Sequence, residues 1–541
     1  CSPGRQARHP HPHSREGRMI RNQFVFDLHE EMIVDNFAGG GGASTGIELA
    51  LRRCVDIAIN HDPEAIAMHQ ANHPQTRHLV EDVFEVNPLE VCGWHQNDAG
   101  MWVGGRRVGF GWFSPDCKHF SKAKGGKPRS KKIRGLAWVV VKWAMAFIKA
   151  GLRPPRVMGM ENVEEFRTWG PLLRDGKPCP DEESRTYDCF EAILTTGVSL
   201  DHPDLPDVRE ALGDVWDEEL ARRGLGYLME SREIRASTTR APTIRKRLYI
   251  ILRCDGQPIV WPEPTHGDPN SPAVKAKKLR PWRTAADCID WSIPCRSIFE
   301  RNRPLAPATL RRIARGIEKF VLNSPDPFIV KVNHSGDGLN AQTTENHAAI
   351  AAVNLVRHFG KSIGGEVSEP VGTICAGGGG KTELAVSHLS KLYGTTTGQD
   401  AREPMHTVTG GGNHIAEVRA FLVKYYGNEK EAVSIEDPMH TITAKDRIGL
   451  VTIHGEEYVI TDIGMRMLEP HELYRAQGFP PDYIIAPVVP RKRGKKVVHA
   501  PLPKHAQVRM CGNSVCPPVA EALVRANCPE LIVQEKGFRA A

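Results

Sequence analysis

At 541 residues the chain is too long for one ordinary core, so two or three domains are expected. Apolar residues at 40% and charged residues at 25% are globular proportions, and no run of eighteen apolar residues offers a membrane span. The formal charge of +7 permits a polyanionic partner without requiring one, and thirteen cysteines with no C-x-x-C pair suggest neither a disulfide framework nor a zinc site. A reducing cytoplasm fits this cysteine usage, and no metal is expected. The cations cluster at residues 122–134 and 491–496 (RKRGKK). Residues 1–30 carry no apolar segment of the kind a secretory signal needs, and a disordered basic leader is expected there, with Met19 and Met32 as alternative starts.

In chain order, residues 32–37 (MIVDNF) read as a buried strand, followed by the glycine turn AGGGGASTG and a short helix, IELALRR. Such a turn lets a ligand approach bare backbone, and the helix N-terminus behind it favours an anionic group. The spacing is not G-x-G-x-x-G, so it specifies no dinucleotide. A second strand ends at Asn60-His61-Asp62 before the helix PEAIAMHQAN, and a third ends at Glu81-Asp82. A fourth apolar run, GFGWF, ends in Ser114-Pro115-Asp116-Cys117. A cysteine where a strand turns into a basic loop can be held partly as thiolate, the form that attacks electrophiles. A long apolar helix (135–151) follows, then the strand RVMGM, which delivers Glu161 and Asn162 at its end. A carboxyl group beside a thiolate is a candidate proton donor, or else a helix cap or salt-bridge partner.

Residues 171–235 are polar and read as irregular. In PTIRKRLYIIL, strand alternation puts Arg245 and Arg247 on one face, as suits a phosphate, a carbonyl oxygen or an edge salt bridge. A helix is expected over 307–322. Beyond it, Glu369-Pro370, Glu403-Pro404-Met405-His406-Thr407 and Asp437-Pro438-Met439-His440-Thr441 recur about every 34 residues, each after a strand-like start. The last segment holds LEPHELYRAQGFPPDY, the RKRGKK loop, a tight turn at Gly512-Asn513-Ser514, and a helix after Pro517-Pro518.

In this order the stretches DNFAGGGG, SPDCKHFS, MENVEEF, PTIRKR, LEPHELYRAQGFP and GNSV resemble the six motifs of the DNA (cytosine-5) methyltransferases, and specifically a divergent phage or bacterial branch. The resemblance runs from about residue 32 to 530. It implies an α/β fold, a Rossmann-like class I methyltransferase sheet with a smaller β-rich target-recognition domain. The implied division is a catalytic domain at 31–322, target recognition at 323–456, and a return to the catalytic domain at 457–541. It implies methyl transfer from S-adenosyl-L-methionine to C5 of cytosine in double-stranded DNA, on a base taken out of the helix. Cys117 would be the nucleophile, Glu161 would hold the N3/N4 edge of the base, Arg245 would bind the O2 side, and Arg247 would support either Arg245 or the backbone. Phe37, Gly39 and Gly41, with Asp62, Asp82, Asn513 and Ser514, would hold the cofactor.

The sequence departs from the family where Asp116 and Lys118 replace the usual neighbours of the cysteine, and where Asn60 replaces a ribose-binding glutamate, so that the ribose contact would weaken or shift to Asp62. RNA as the substrate, and a DNA-binding relative without turnover, are the alternatives weighed. A nicotinamide dehydrogenase would explain the glycine turn but not Cys117, Glu161 and the arginine pair. A monomer is expected, and a cognate restriction endonuclease is left open.

Overall fold

The computed structural model describes residues 31–116, 135–175, 177–323, 329–330, 354–357, 365–366, 382–391, 398–410, 414–424, 450–453, 456–493 and 496–533. Seven strands form the central sheet: β1 (Met32–Asn36), β2 (Ile57–Ile59), β3 (Arg77–Leu79), β4 (Val108–Phe113), β5 (Val157–Asn162), β6 (Leu228–Arg235) and β7 (Lys246–Arg253). Their order is β3-β2-β1-β4-β5-β7-β6, with β1 to β5 parallel and β7 antiparallel to both its neighbours. The order reverses between β1 and β4, so a crevice opens beyond their carboxyl ends, where ligands bind in open α/β sheets. This is the Rossmann-like α/β sheet expected from the sequence.

The inner strands are buried on both faces, which is why MIVDN and VGFGWF read as near-continuous apolar runs. Helices α1 (Gly42–Leu51), α2 (Pro63–Asn72), α3 (Trp138–Lys149), α4 (Arg185–Leu194) and α5 (Leu205–Leu212) come from the first part of the chain. On one face, α3 to α5 pack Trp138, Val140, Phe147 and Phe190 against Val34, Ile59 and Met160. On the other, α1 and the last helix bury Ile47, Leu51, Val519 and Leu523 against Ile33, Trp112 and Ile251. A Cβ at Gly46 would lie 2.5 Å from Pro517 O and 2.6 Å from Ala520 Cβ, so only glycine permits this helix crossing.

A second sheet contains β8 (Arg296–Ser297), β9 (Asn354–Arg357), β10 (Gly365–Glu366), β11 (Thr382–Lys391), β12 (Ile415–Lys424) and β13 (Glu456–Met467), in the order β8-β13-β12-β11-β9-β10. Helix α6 (Pro307–Ile317) and the turn Glu318–Leu322 lay Ile313, Ile317 and Val321 on Val418, Ala420, Ile463 and Met465 of this sheet. The chain then adds α7 (Pro470–Gln477), the hairpin β14 (Val488–Arg493) and β15 (Lys496–Pro501), α8 (Lys504–Asn513) and α9 (Pro517–Asn527). Among the described residues no helix is long and apolar enough to cross a membrane.

Several elements differ from their sequence expectation. Helix α1 starts at Gly42, five residues early, because Gly41 in the left-handed region (φ 94°) caps it and Thr45 Oγ1 donates to Gly41 O at 2.7 Å. The supposedly irregular stretch 171–235 supplies α4, α5 and edge strand β6, whose half-exposed polar residues conceal a strand's alternation. Gly512 and Asn513 end α8 rather than forming a free turn, and Arg491, Lys492, Arg493 and Lys496 of RKRGKK lie in the paired strands β14 and β15. Cys117 and the basic loop after it lie outside the described residues, as do the first and third copies of the repeat at 369–373 and 437–441.

Candidate active site

Three of the expected side chains meet at one point. Glu161, the last residue but one of β5, has a side chain only 6% exposed; Arg247 Nε lies 3.1 Å and Arg245 Nη2 3.5 Å from its Oε1. The antiparallel register places Glu161 opposite Tyr249, so both arginines, just before β7's apolar core, lie alongside the carboxylate. Arg245 is 3% exposed and donates through Nη1 to Gly512 O at 3.1 Å, joining the pair to the end of α8. A carboxylate held between two guanidiniums in a dry site is fixed in position. The thiol of Cys516 lies within range of all three charges, and burial pushes it up to about 11, so it stays protonated at neutral pH.

The loop before β7 also holds the described copy of the repeat. Thr243 Oγ1 and Ile244 N both donate to Met405 O, each at 2.9 Å, and Met405 N donates to Pro242 O at 2.9 Å. The repeat segment 403–407 is therefore hydrogen-bonded to the residues that carry the arginine pair. Asn162 Nδ2 donates to Pro115 O at 3.4 Å, and Ser114 N donates to Asn36 O at 3.4 Å. These bonds tie the segment leading to Cys117 to the ends of β5 and β1, and the described chain stops at Asp116.

The glycine turn forms the neighbouring wall. Phe37 (φ 62°), Gly39 (φ 55°) and Gly41 (φ 94°) all take left-handed backbone, a costly conformation for phenylalanine of the kind that concentrates at ligand sites. A Cβ on Gly41 would strike Tyr483 Oη at 2.3 Å, and one on Gly42 would strike Ser514 Oγ at 2.0 Å, so these positions are backed by protein. At Gly39 the nearest obstacle is Phe37 O at 3.8 Å, which leaves the backbone open to a ligand. Asn36 is fully buried, and neither polar atom of its side chain has a hydrogen-bond partner among the described residues. Open glycine backbone beside a polar side chain in want of a partner fits the amino-acid end of S-adenosylmethionine.

The remaining expected cofactor residues are more dispersed. Asp62 caps α2 by accepting from Glu64 N at 3.0 Å and pairs with Arg509 of α8 at 2.6 Å. Asp82 is exposed, accepts from Phe84 N at 3.0 Å, and lines a cavity of about 1260 Å³ between α3 and the chain near α5. Asn513 is exposed at the end of α8, while Ser514 is buried with its Oγ donating to Val515 O at 2.9 Å. No group of three metal-ligating side chains occurs among the described residues.

Sequence reasoning missed a buried network behind the turn. Ser44 Oγ donates to Asp35 Oδ2 at 2.7 Å and lies 2.9 Å from His69 Nε2, whose Nδ1 is 2.8 Å from His78 Nε2. With Ser44 donating to the carboxylate, neutral His69 donates from Nε2 and accepts at Nδ1. Burial pushes Asp35 up to about 7 and His69 well below its ordinary value, with His73 and His78 adding to the latter. Beside them, Tyr483 Oη donates to Gly40 O at 2.5 Å, and His73 Nδ1 meets Glu48 at 2.9 Å. The available signal was an aspartate and an asparagine inside a strand otherwise apolar on both faces.

Residues 366–527 match the C-5 cytosine-specific DNA methylase family. The chain is 24% identical over 266 residues to the type II methyltransferase M.AquIA of a Picosynechococcus strain, covering 48% of this chain and 88% of that one. Among solved structures, a candidate DNA modification methyltransferase encoded within an E. coli prophage aligns with 15% identity over 93% of this chain and 99% of its own, at a TM-score of 0.39. The S. pombe Dnmt2 methyltransferase aligns with 12% identity over 92% and 97%, also at 0.39.

Proposed function

From the chain's membership of the DNA (cytosine-5) methyltransferase family, as an enzyme that methylates cytosine in DNA, we propose that it does so through a covalent Cys117 adduct on a flipped-out base. The observation that carries this reading is the clamp of Arg245 and Arg247 on Glu161, at the crest where the segment leading to Cys117 also arrives.

In this reading the thiolate of Cys117 forms a bond to C6, and the electron pair of the C5–C6 double bond moves to C5. Glu161 accepts from the exocyclic amine and favours protonation at N3 as charge spreads into the ring. The guanidiniums of Arg245 and Arg247 fix Glu161, and Arg245 reaches the O2 side of the base. C5 then forms its bond to the methyl group that bound S-adenosylmethionine would supply, its sulfur leaving as the thioether. Loss of the C5 proton to a base, with expulsion of the thiolate, restores the aromatic ring. A free thiol with a pKa of about 8.5 is only a few per cent thiolate at neutral pH. The cation Lys118 favours ionisation, whereas Asp116 beside the nucleophile opposes it.

S-adenosylmethionine, when bound, supplies the electrophilic methyl group. Phe37, Gly39 and Gly41 would hold its amino-acid end, Asp62 and Asp82 its ribose and adenine, and Asn513 and Ser514 would close the site. The type II naming of the Picosynechococcus relative supports a modification role of the restriction–modification kind.

Transfer of labelled methyl to mixed-sequence duplex DNA tests the proposal. Label is expected in 5-methylcytosine with the wild type and absent with Cys117→Ala. Label that appears in RNA and not in DNA would replace the substrate, and label retained by Cys117→Ala would remove the nucleophile.

A further inference from the structure

We propose that the arginine band formed by β8, the loop after it and the exposed face of α6 is a second contact for the backbone of duplex DNA, separate from the target-base site. The proposal rests on the DNA reading above for its partner. Residues 296–319 carry seven cations (Arg296, Arg301, Arg303, Arg311, Arg312, Arg315 and Lys319) against two carboxylates, Glu300 and Glu318. That net +5 in 24 residues compares with +7 for all 541, so the rest of the chain is nearly neutral.

The fold turns this excess outward. Ile298 packs inward, and Ile313 and Ile317 bind α6 to the second sheet, which leaves Arg311 and Arg315 one turn apart on the exposed face. Like charges at that spacing repel by a few tenths of a kcal/mol in an isolated helix, so nothing local favours their pairing. Arg296, Ser297, Glu300, Arg301, Asn302 and Arg303 line a cavity of about 540 Å³. Its three arginines are exposed, and none of them pairs with a carboxylate among the described residues. Phe299 is 61% exposed beside them.

Planar guanidiniums match phosphate oxygens through paired donors, and a band of them suits a polyanion better than a single anion. None of these residues belongs to the Glu161 cluster, and all lie outside the segment 366–527 that matches the family.

The test compares wild type, R296Q/R301Q/R303Q and R296K/R301K/R303K, using duplex binding across a salt series and methyl transfer at saturating DNA. Each phosphate contact contributes about 0.9 to the slope of log affinity on log salt. The glutamine variant is expected to show a slope shallower by about two to three units with kcat unchanged, and the lysine variant to keep most of the wild-type slope. An unchanged slope in the glutamine variant, with methylation continuing, overturns this contact and leaves the enzymatic reading intact. An equal loss in the lysine variant also overturns it, because charge would not be the cause. The expected slope change in the glutamine variant, together with a wild type that transfers no methyl group, would uphold the contact and remove the catalytic reading instead.

Discussion

The two sheets manage polarity in opposite ways. In the central sheet the interior is apolar on both faces, and polar groups collect at the carboxyl ends of the strands, where Asn36, Asp116, Glu161 and Asn162 lie. The second sheet buries charge within its body. On β12, Ala416, Val418 and Ala420 face α6, while the alternate residues Glu417 and Arg419 face α7. Glu417 pairs with Arg419 at 2.5 Å and with Arg466 at 2.8 Å, and Arg466 pairs with Glu472 of α7 at 2.7 Å. Arg419 donates to Trp291 O at 3.0 Å, and Arg466 donates to Asp290 O at 3.0 Å. Apolar packing tolerates small slips, whereas paired buried charges fit only one arrangement. The second sheet is thereby keyed to α7, and the repeat segment at Met405 is hydrogen-bonded to the arginine loop.

The largest expected effect breaks that key. Glu417→Ala leaves Arg419 and Arg466 buried without their shared carboxylate and should cost about 3–5 kcal/mol in chemical denaturation. Replacing the cluster by apolar residues of similar volume should cost far less, and an equal loss would show that the charges specify nothing. Next comes Glu161→Gln, which keeps the shape of the site but removes the clamped charge. The fold should hold while kcat falls about 10²- to 10³-fold, and a change confined to KM would make Glu161 a binding group only.

A third test uses pH. Between the unfolded carboxyl's ordinary 3.8 and about 7, folded Asp35 keeps a proton that the unfolded chain has released. This group therefore lowers stability as pH rises through that window, and its full penalty is present above about 7. Asp35→Asn should raise stability at pH 8 relative to wild type by on the order of 2 kcal/mol, with the difference shrinking towards pH 5. His69 acts in the opposite sense: buried and neutral, it removes stability as pH falls below its ordinary 6.5. Thermal melting of both proteins across pH 5–8 separates the two, because only the Asp35 contribution differs between them. The smallest effect is expected from Tyr483→Phe, which removes the bond to Gly40 O and should cost about 1 kcal/mol with a modest rise in cofactor KM. An unchanged KM would detach Tyr483 from the turn's function.

The strand ends were legible because apolar runs closing on polar residues reveal both the sheet and its carboxyl edge. Glu161, Arg245 and Arg247 could each be named from the sequence, and alternation correctly placed the two arginines together. The networks behind them could not. Asp35, Ser44, His69 and His78 meet only after β1, α1, α2 and β3 have packed, and no spacing in the sequence announces that. Strand β6 escaped because an edge strand needs no apolar alternation, and no pattern in the sequence marks Glu417 as a fully buried charge. Asp62 was expected on a ribose; its pairing with Arg509, far along the chain, came only with the fold.

The central claim is the covalent step at Cys117, and trapping it is the most direct measurement. A duplex whose target cytosine carries fluorine at C5 cannot lose a proton there, so an adduct formed during methyl transfer should persist. The account predicts a stable protein–DNA species that requires S-adenosylmethionine, maps to Cys117 by peptide mass and is absent from Cys117→Ala. Methylation of the ordinary duplex with no trapped species, or an adduct at another cysteine, would contradict it.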